Sequence, residues 1–87
     1  MSKRKITRNE HIARKLLKAL PSDINCEVTY NRHLDRVETW IKVPMINFKY
    51  INFLHHEDSD IAAASFYKLF TEHIDYCKKK LKENRRN

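Results

Sequence analysis

Ile24-Asn25-Cys26-Glu27-Val28-Thr29-Tyr30 alternates apolar and polar side chains without a break. Ile24, Cys26, Val28 and Tyr30 share one side and Asn25, Glu27 and Thr29 the other, which is the period of a half-buried strand. Asn31-Arg32-His33-Leu34-Asp35 follows as a polar stretch of hairpin-loop length. The alternation resumes from Arg36 to Val43, with Val37, Thr39, Ile41 and Val43 opposite Glu38, Trp40 and Lys42. Pro44 ends that run, because proline cannot donate to a strand ladder. A third strand is expected from about Ile46 to Leu54, where Ile46, Phe48 and Tyr50 alternate with Asn47 and Lys49. Its phase blurs after Tyr50, which predicts a bulge or a fully covered end.

Helical periods flank these strands. The first helix is expected from Arg8 to Leu20, and Thr7 followed by Glu10 has capping-box spacing. Ile12, Leu16, Leu17 and Leu20 form its apolar stripe, while Arg14, Lys15 and Lys18 project from other faces. Pro21-Ser22 stops it. After the strands, Ser59 or Asp58 caps a long second helix with Asp60 near its positive end. Ala63, Phe66, Phe70, Ile74, Cys77 and Leu81 lie at helical spacing, flanked by Tyr67 and Leu69. The expected fold is therefore α+β, a helix, a three-stranded antiparallel sheet and a helix (αβββα). Burying both helical stripes predicts both helices on one face of the sheet. Residues 1–87 read as a single domain, with a basic arm at 1–6 and a frayed basic tail at 83–87. Heptad-like steps from Ala63 to Leu81 leave a homodimer open beside a monomer.

The chain contains no glycine. P-loops, dinucleotide fingerprints and nucleophile elbows need glycine where backbone approaches a ligand or takes positive φ, so most nucleotide-dependent enzymes are excluded. Two-residue hairpin turns are disfavoured for the same reason. No apolar run approaches the roughly 20 residues that span a bilayer, so no membrane partner is expected. Met1-Ser2-Lys3-Arg4-Lys5 leads into mixed polar sequence, unlike a signal peptide, which predicts a cytoplasmic location. Cys26 and Cys77 fall singly on apolar stripes and read as buried reduced thiols.

Charge is sorted along the chain. Residues 1–20 hold seven basic residues against one acid, and residues 61–87 hold seven against three. Residues 21–60 hold four against seven. Two basic flanks around an acidic centre point to a polyanion, most often nucleic acid. No helix-turn-helix pattern, zinc-finger spacing or basic-zipper heptad is present, which favours RNA over DNA. Phosphate contacts of this kind position a ligand without reading its sequence.

Other residues admit sharper chemistry. His55-His56-Glu57-Asp58 with Asp60 resembles a metal or acid–base cluster in composition, but no H-x-x-x-H or C-x-x-C spacing exists. It reads as a polar turn with helix-capping acids, and no metal or other cofactor is expected. His33 beside Arg32 is the candidate general acid/base of a small ribonuclease. His73 reads as a packed or rim histidine. Trp40 shares a polar strand face with Glu38 and Lys42, so it is a candidate for base stacking or for a protein contact.

The element order from about residue 7 to 85, together with the charge, resembles the double-stranded RNA-binding domain. That family contacts RNA through its first helix, through the loop between its first two strands and through lysines opening its second helix. Here the loop is Asn31-Arg32-His33-Leu34-Asp35 and the second helix opens on His55-His56-Glu57-Asp58-Ser59-Asp60. The resemblance therefore carries over only to the polar face of the first helix and to Arg32 and His33. In style, a compact, basic, glycine-free chain also resembles small early proteins of tailed bacteriophages. Some of those bind RNA or disable host defences, including toxin–antitoxin ribonucleases, which implies a viral protein of the host cytoplasm.

The expected function is non-enzymatic binding of structured RNA in preference to single strands. The expected contacts are Lys3, Arg4, Lys5, Arg8, Arg14, Lys15, Lys18, Lys78, Lys79, Lys80, Lys82, Arg85 and Arg86, with Arg32 and His33 from the loop. One alternative is a protein-interaction module that inhibits a host enzyme or toxin on an acidic or RNA-bound partner. The other is the histidine-dependent ribonuclease.

Overall fold

A computed structural model describes residues 5–85. Helix α1 (Arg8–Lys18) leads into strands β1 (Cys26–Asn31) and β2 (Arg36–Val43). A 3-10 turn (Pro44–Ile46), strand β3 (Phe48–Leu54) and helix α2 (Asp60–Arg85) follow. The sheet is antiparallel in the order β1-β2-β3. The α+β order of helix, three strands and helix is thus the one that the periodicities predict.

Register puts each strand's apolar set on one side. Cys26 faces Ile41, Tyr30 faces Val37, and Val37 in turn faces Leu54. Val28, Val37, Ile41, Val43 and Leu54 are buried, together with Ala13 and Leu16 of α1 and Ala63, Phe66, Phe70, Ile74, Cys77 and Leu81 of α2. They form one cluster, and none of the strand residues of opposite phase belongs to it. Each large side chain so buried stabilises the fold by about 1.5–3 kcal/mol relative to exposure.

Three local expectations are corrected. The pairing of β2 with β3 runs from Val37↔Leu54 to Val43↔Phe48 without a slip, so there is no bulge. Asn52 and Leu54 keep the phase of Phe48 and Tyr50. The pattern blurred because Ile51 and Phe53 are apolar residues on the opposite face, 56% and 45% exposed. β3 begins at Phe48, since Ile46 closes the 3-10 turn. α1 ends at Lys18, and Leu17 is 48% exposed. Its buried residues are Asn9, Glu10, Ala13 and Leu16, and Leu17 lies about 100° round the helix from Leu16.

Without glycine, the chain turns on the two residue types that best tolerate the left-handed region. Asp35 at the end of the β1–β2 loop has φ 50°, and Asn47 before β3 has φ 54°. Asp35 is held there by side chains. Its carboxylate accepts from the hydroxyls of Tyr30 and Thr7, and its carbonyl accepts from the Asn9 amide at 2.8 Å. Thr7 also caps α1, accepting from the Glu10 amide at 3.1 Å. Burial and the Asp35 hydrogen bond push the Tyr30 hydroxyl above its ordinary pKa.

Both cysteines are free thiols. Cys77 is fully buried, and burial raises the pKa of both, which holds them in the unreactive protonated form. Among the described residues, no helix is long and apolar enough to cross a membrane.

The left-handed turn generates a test. Asn47→Ala is expected to lower the urea unfolding free energy by about 1 kcal/mol, because alanine resists positive φ. Asn47→Gly is expected to cost a few tenths at most. Equal effects from the two substitutions would show that backbone conformation is not what asparagine supplies there.

Candidate nucleic-acid interface

The direction of the helices decides which cations meet. At the start of both helices, Arg8 Nη1 lies 3.0 Å from the Asp60 carboxylate. Seven residues further along each, Lys15 Nζ sits 5.1 Å from the centroid of the Tyr67 ring. Beyond that point Leu16 and Ala19 line a hollow of about 160 Å³ together with Phe70, Ile74, Asp75 and Lys78. The two helices therefore advance side by side in the same direction, and their C-terminal turns lie toward one end of the domain.

That end gathers lysines from both sequence flanks. Lys15 and Lys18 close α1, and Lys78 borders the hollow from α2. Lys82 lies one turn beyond Lys78 on the same helix face. Lys15, Lys18, Lys78, Lys79 and Lys82 are all exposed. Each helix ends with roughly half a negative charge, so cations there gain about 0.3–1 kcal/mol from the dipole. Lys78 and Lys82, as like charges four apart, lose about 0.2–0.5 kcal/mol in return.

Other expected contacts have different surroundings. Arg8 is engaged internally: Nη1 also donates to the Asp58 carbonyl at 2.7 Å, Nη2 to the His55 carbonyl at 3.4 Å and Nε to Asn9 Oδ1 at 2.9 Å. Arg14 pairs with Glu10 at 2.9 Å, although its side chain stays half exposed. Lys80 points to another side of α2, with Nζ 3.6 Å from Glu83 and 5.8 Å from the Tyr76 ring centroid. Lys5, Arg32 and His33 are exposed at the opposite end of α1, where Asp35, Asp58 and Asp60 also stand. Trp40 is half-buried on the outer phase of β2, between Glu27 and Ile51. Arg85 is the last residue of α2. Lys3, Arg4 and Arg86 lie outside the described residues.

The histidine-rich turn is built for capping. The His55 amide donates to the Asp58 carboxylate at 2.8 Å, and the Asp58 amide to the His55 carbonyl at 3.1 Å. Ser59 Oγ accepts from the Ala62 amide at 3.1 Å, so Ser59 is the cap of α2. No group of three or more His, Cys, Asp or Glu side chains among the described residues is placed to hold a metal ion. His73 stacks on Tyr50, with ring centroids 4.2 Å apart, and its Nδ1 meets the Leu69 carbonyl.

Two cations escaped the reading of the sequence. Lys42 and Lys49 stand directly opposite each other on β2 and β3. Their pairing follows from the position of the Pro44–Asn47 reversal, which alternation within either strand does not reveal.

Structural and surface cations are separable by stability. Arg8→Ala is expected to cost about 2 kcal/mol, because it strips charge-assisted hydrogen bonds from two carbonyls and a carboxylate. Lys18→Ala and Lys78→Ala are expected to shift stability by less than about 0.5 kcal/mol. Urea denaturation of the three variants measures both, and an Arg8→Ala protein as stable as the parent would contradict the assignment.

No protein-family model, no curated protein and no solved structure matches this chain.

Proposed function

We propose that this protein binds structured RNA, without cleaving it, through the lysines that end α1 and α2. The observation that carries this reading is the hollow between the parallel helices, lined by Leu16 of α1, its C-cap Ala19 and Lys78 of α2, with exposed Lys15 and Lys18 next to Leu16 and Ala19 in sequence and exposed Lys82 one turn beyond Lys78. Exposed ammonium groups on one surface match a row of phosphates. The αβββα order supports RNA over DNA, through its resemblance to the double-stranded RNA-binding domain and the shape recognition which that implies.

The surface proposed here differs from that family's own contact regions. The loop carrying Arg32 and His33 and the start of α2 stand among Asp35, Asp58 and Asp60, which repel phosphate. The lysine end carries the binding instead.

Binding by this route releases counterions. With about four phosphate contacts, affinity for a structured RNA is expected to fall roughly a hundredfold between about 50 and 200 mM salt. Lys78→Ala with Lys82→Ala is expected to flatten the log–log salt slope by about 2. Fluorescence anisotropy of labelled structured RNA, single-stranded RNA and duplex DNA measures this, with RNA integrity followed on a gel. Salt-independent affinity would refute the reading. Cleavage abolished by His33→Ala would replace it with the ribonuclease alternative.

A further inference from the structure

The strand residues outside the core cluster include an apolar strip. Trp40 pairs with Ile51 across β2 and β3, and Phe53 follows Ile51 by two positions on the same face. Ile51 and Phe53 are exposed and Trp40 is half-buried. The open face of an antiparallel sheet is ordinarily polar, so three large apolar side chains on that one face are out of pattern. One row along, Lys42 and Lys49 stand opposite each other. Like charges so placed destabilise a strand pair. No carboxylate among the described residues lies within ion-pair distance of either lysine, whereas Arg36, further along the same face, is paired with Glu38 at 2.6 Å. Trp40, Lys42, Lys49 and Ile51 line a hollow of about 190 Å³.

We propose that this face is a second RNA contact, which takes an unpaired nucleotide. The base lies on the indole of Trp40 and its neighbour Ile51, and the phosphate lies between Lys42 and Lys49. The two features are two residues apart along β2, about 6.8 Å. A ligand with a flat apolar face at one point and a negative charge at the other satisfies both, and each out-of-pattern feature of the face then has a cause. The apolar strip is a stacking platform, and the opposed lysines share an anion. The inference rests on the RNA reading above and refines it, because the preferred substrate becomes an RNA with a helical part and an adjoining unpaired part.

Trp40 is the only tryptophan, so its fluorescence reports on this face alone. The test titrates the full chain with labelled oligouridine and with a blunt RNA duplex, reading label anisotropy and tryptophan emission together. Oligouridine is expected to bind and quench Trp40, and the duplex to bind without quenching. Trp40→Ala is expected to weaken oligouridine binding roughly five- to a hundredfold and leave the duplex within about twofold. Lys42→Glu with Lys49→Glu, at two exposed positions, repeats the loss should Trp40→Ala disturb folding. Oligouridine binding with unquenched emission, and with unchanged affinity in the double lysine variant, would overturn this inference and leave the helix-end reading standing. Anisotropy that stays flat with both RNAs would overturn both. Emission that follows protein concentration, in step with dimer formation in sedimentation, would make the face a self-contact and also overturn it.

Discussion

The direction of both helices depends on one guanidinium. Arg8 reaches the carbonyls of Asp58 and His55, the carboxylate of Asp60 and the side chain of Asn9. Asn9 passes the connection on to the Asp35 carbonyl. The start of α1, the β1–β2 loop and the β3–α2 turn are thereby joined at one place. Only arginine presents a rigid fork able to satisfy so many acceptors at once, and a lysine ammonium would span fewer of them. Asn9 is almost fully buried, and the bonds from Arg8 and to Asp35 satisfy its amide. A buried amide without those partners would cost about 1–3 kcal/mol.

Once the two helix starts are pinned together, electrostatics follows from geometry. The positive ends of both helix dipoles lie beside Glu10, Asp58 and Asp60. The negative ends lie beside Lys15, Lys18 and the lysines of the last turns of α2. Each helix is favoured separately by this placement. Because the helices are parallel, the separate preferences add into a domain with an acidic end and a basic end. Only part of the N-terminal basic flank follows that polarity, since Lys15 and Lys18 stand at the basic end and Lys5 and Arg8 at the acidic one. Self-repulsion at the basic end is the cost.

Legibility in the sequence followed the strength of local periodicity. The alternation from Ile24 to Val43 and the stripe from Ala63 to Leu81 report burial directly, and the elements fall on those patterns, although β1 begins at Cys26 instead of Ile24 and takes in Asn31 from the expected loop. Thr7 was legible as a cap because a short hydroxyl before a helical period has one obvious acceptor role, whereas Ser59 and Asp58 were equal candidates until the Ser59 Oγ contact with the Ala62 amide decided between them. Reading failed where apolar residues are solvent-facing. Leu17 widened the first stripe beyond its buried edge, and Ile51 and Phe53 hid the phase of β3. The site was legible only as composition. Nothing local distinguishes Arg8, which is held internally by Asp60 some fifty residues away, from Lys18, which is free at the surface. Opposed lysines such as Lys42 and Lys49 become visible only when strand register is known.

The central claim is that lysines from both sequence flanks act as a single surface at one end of the domain. Backbone amide chemical shifts during titration with a short RNA duplex test it most directly. Perturbations are expected to concentrate on Lys15–Ala19 and on α2 from Thr71 to Lys82, with Arg32–Asp35 and His55–Asp60 unmoved. Perturbations centred on the loop and turn around Arg8, or confined to one helix alone, would contradict it.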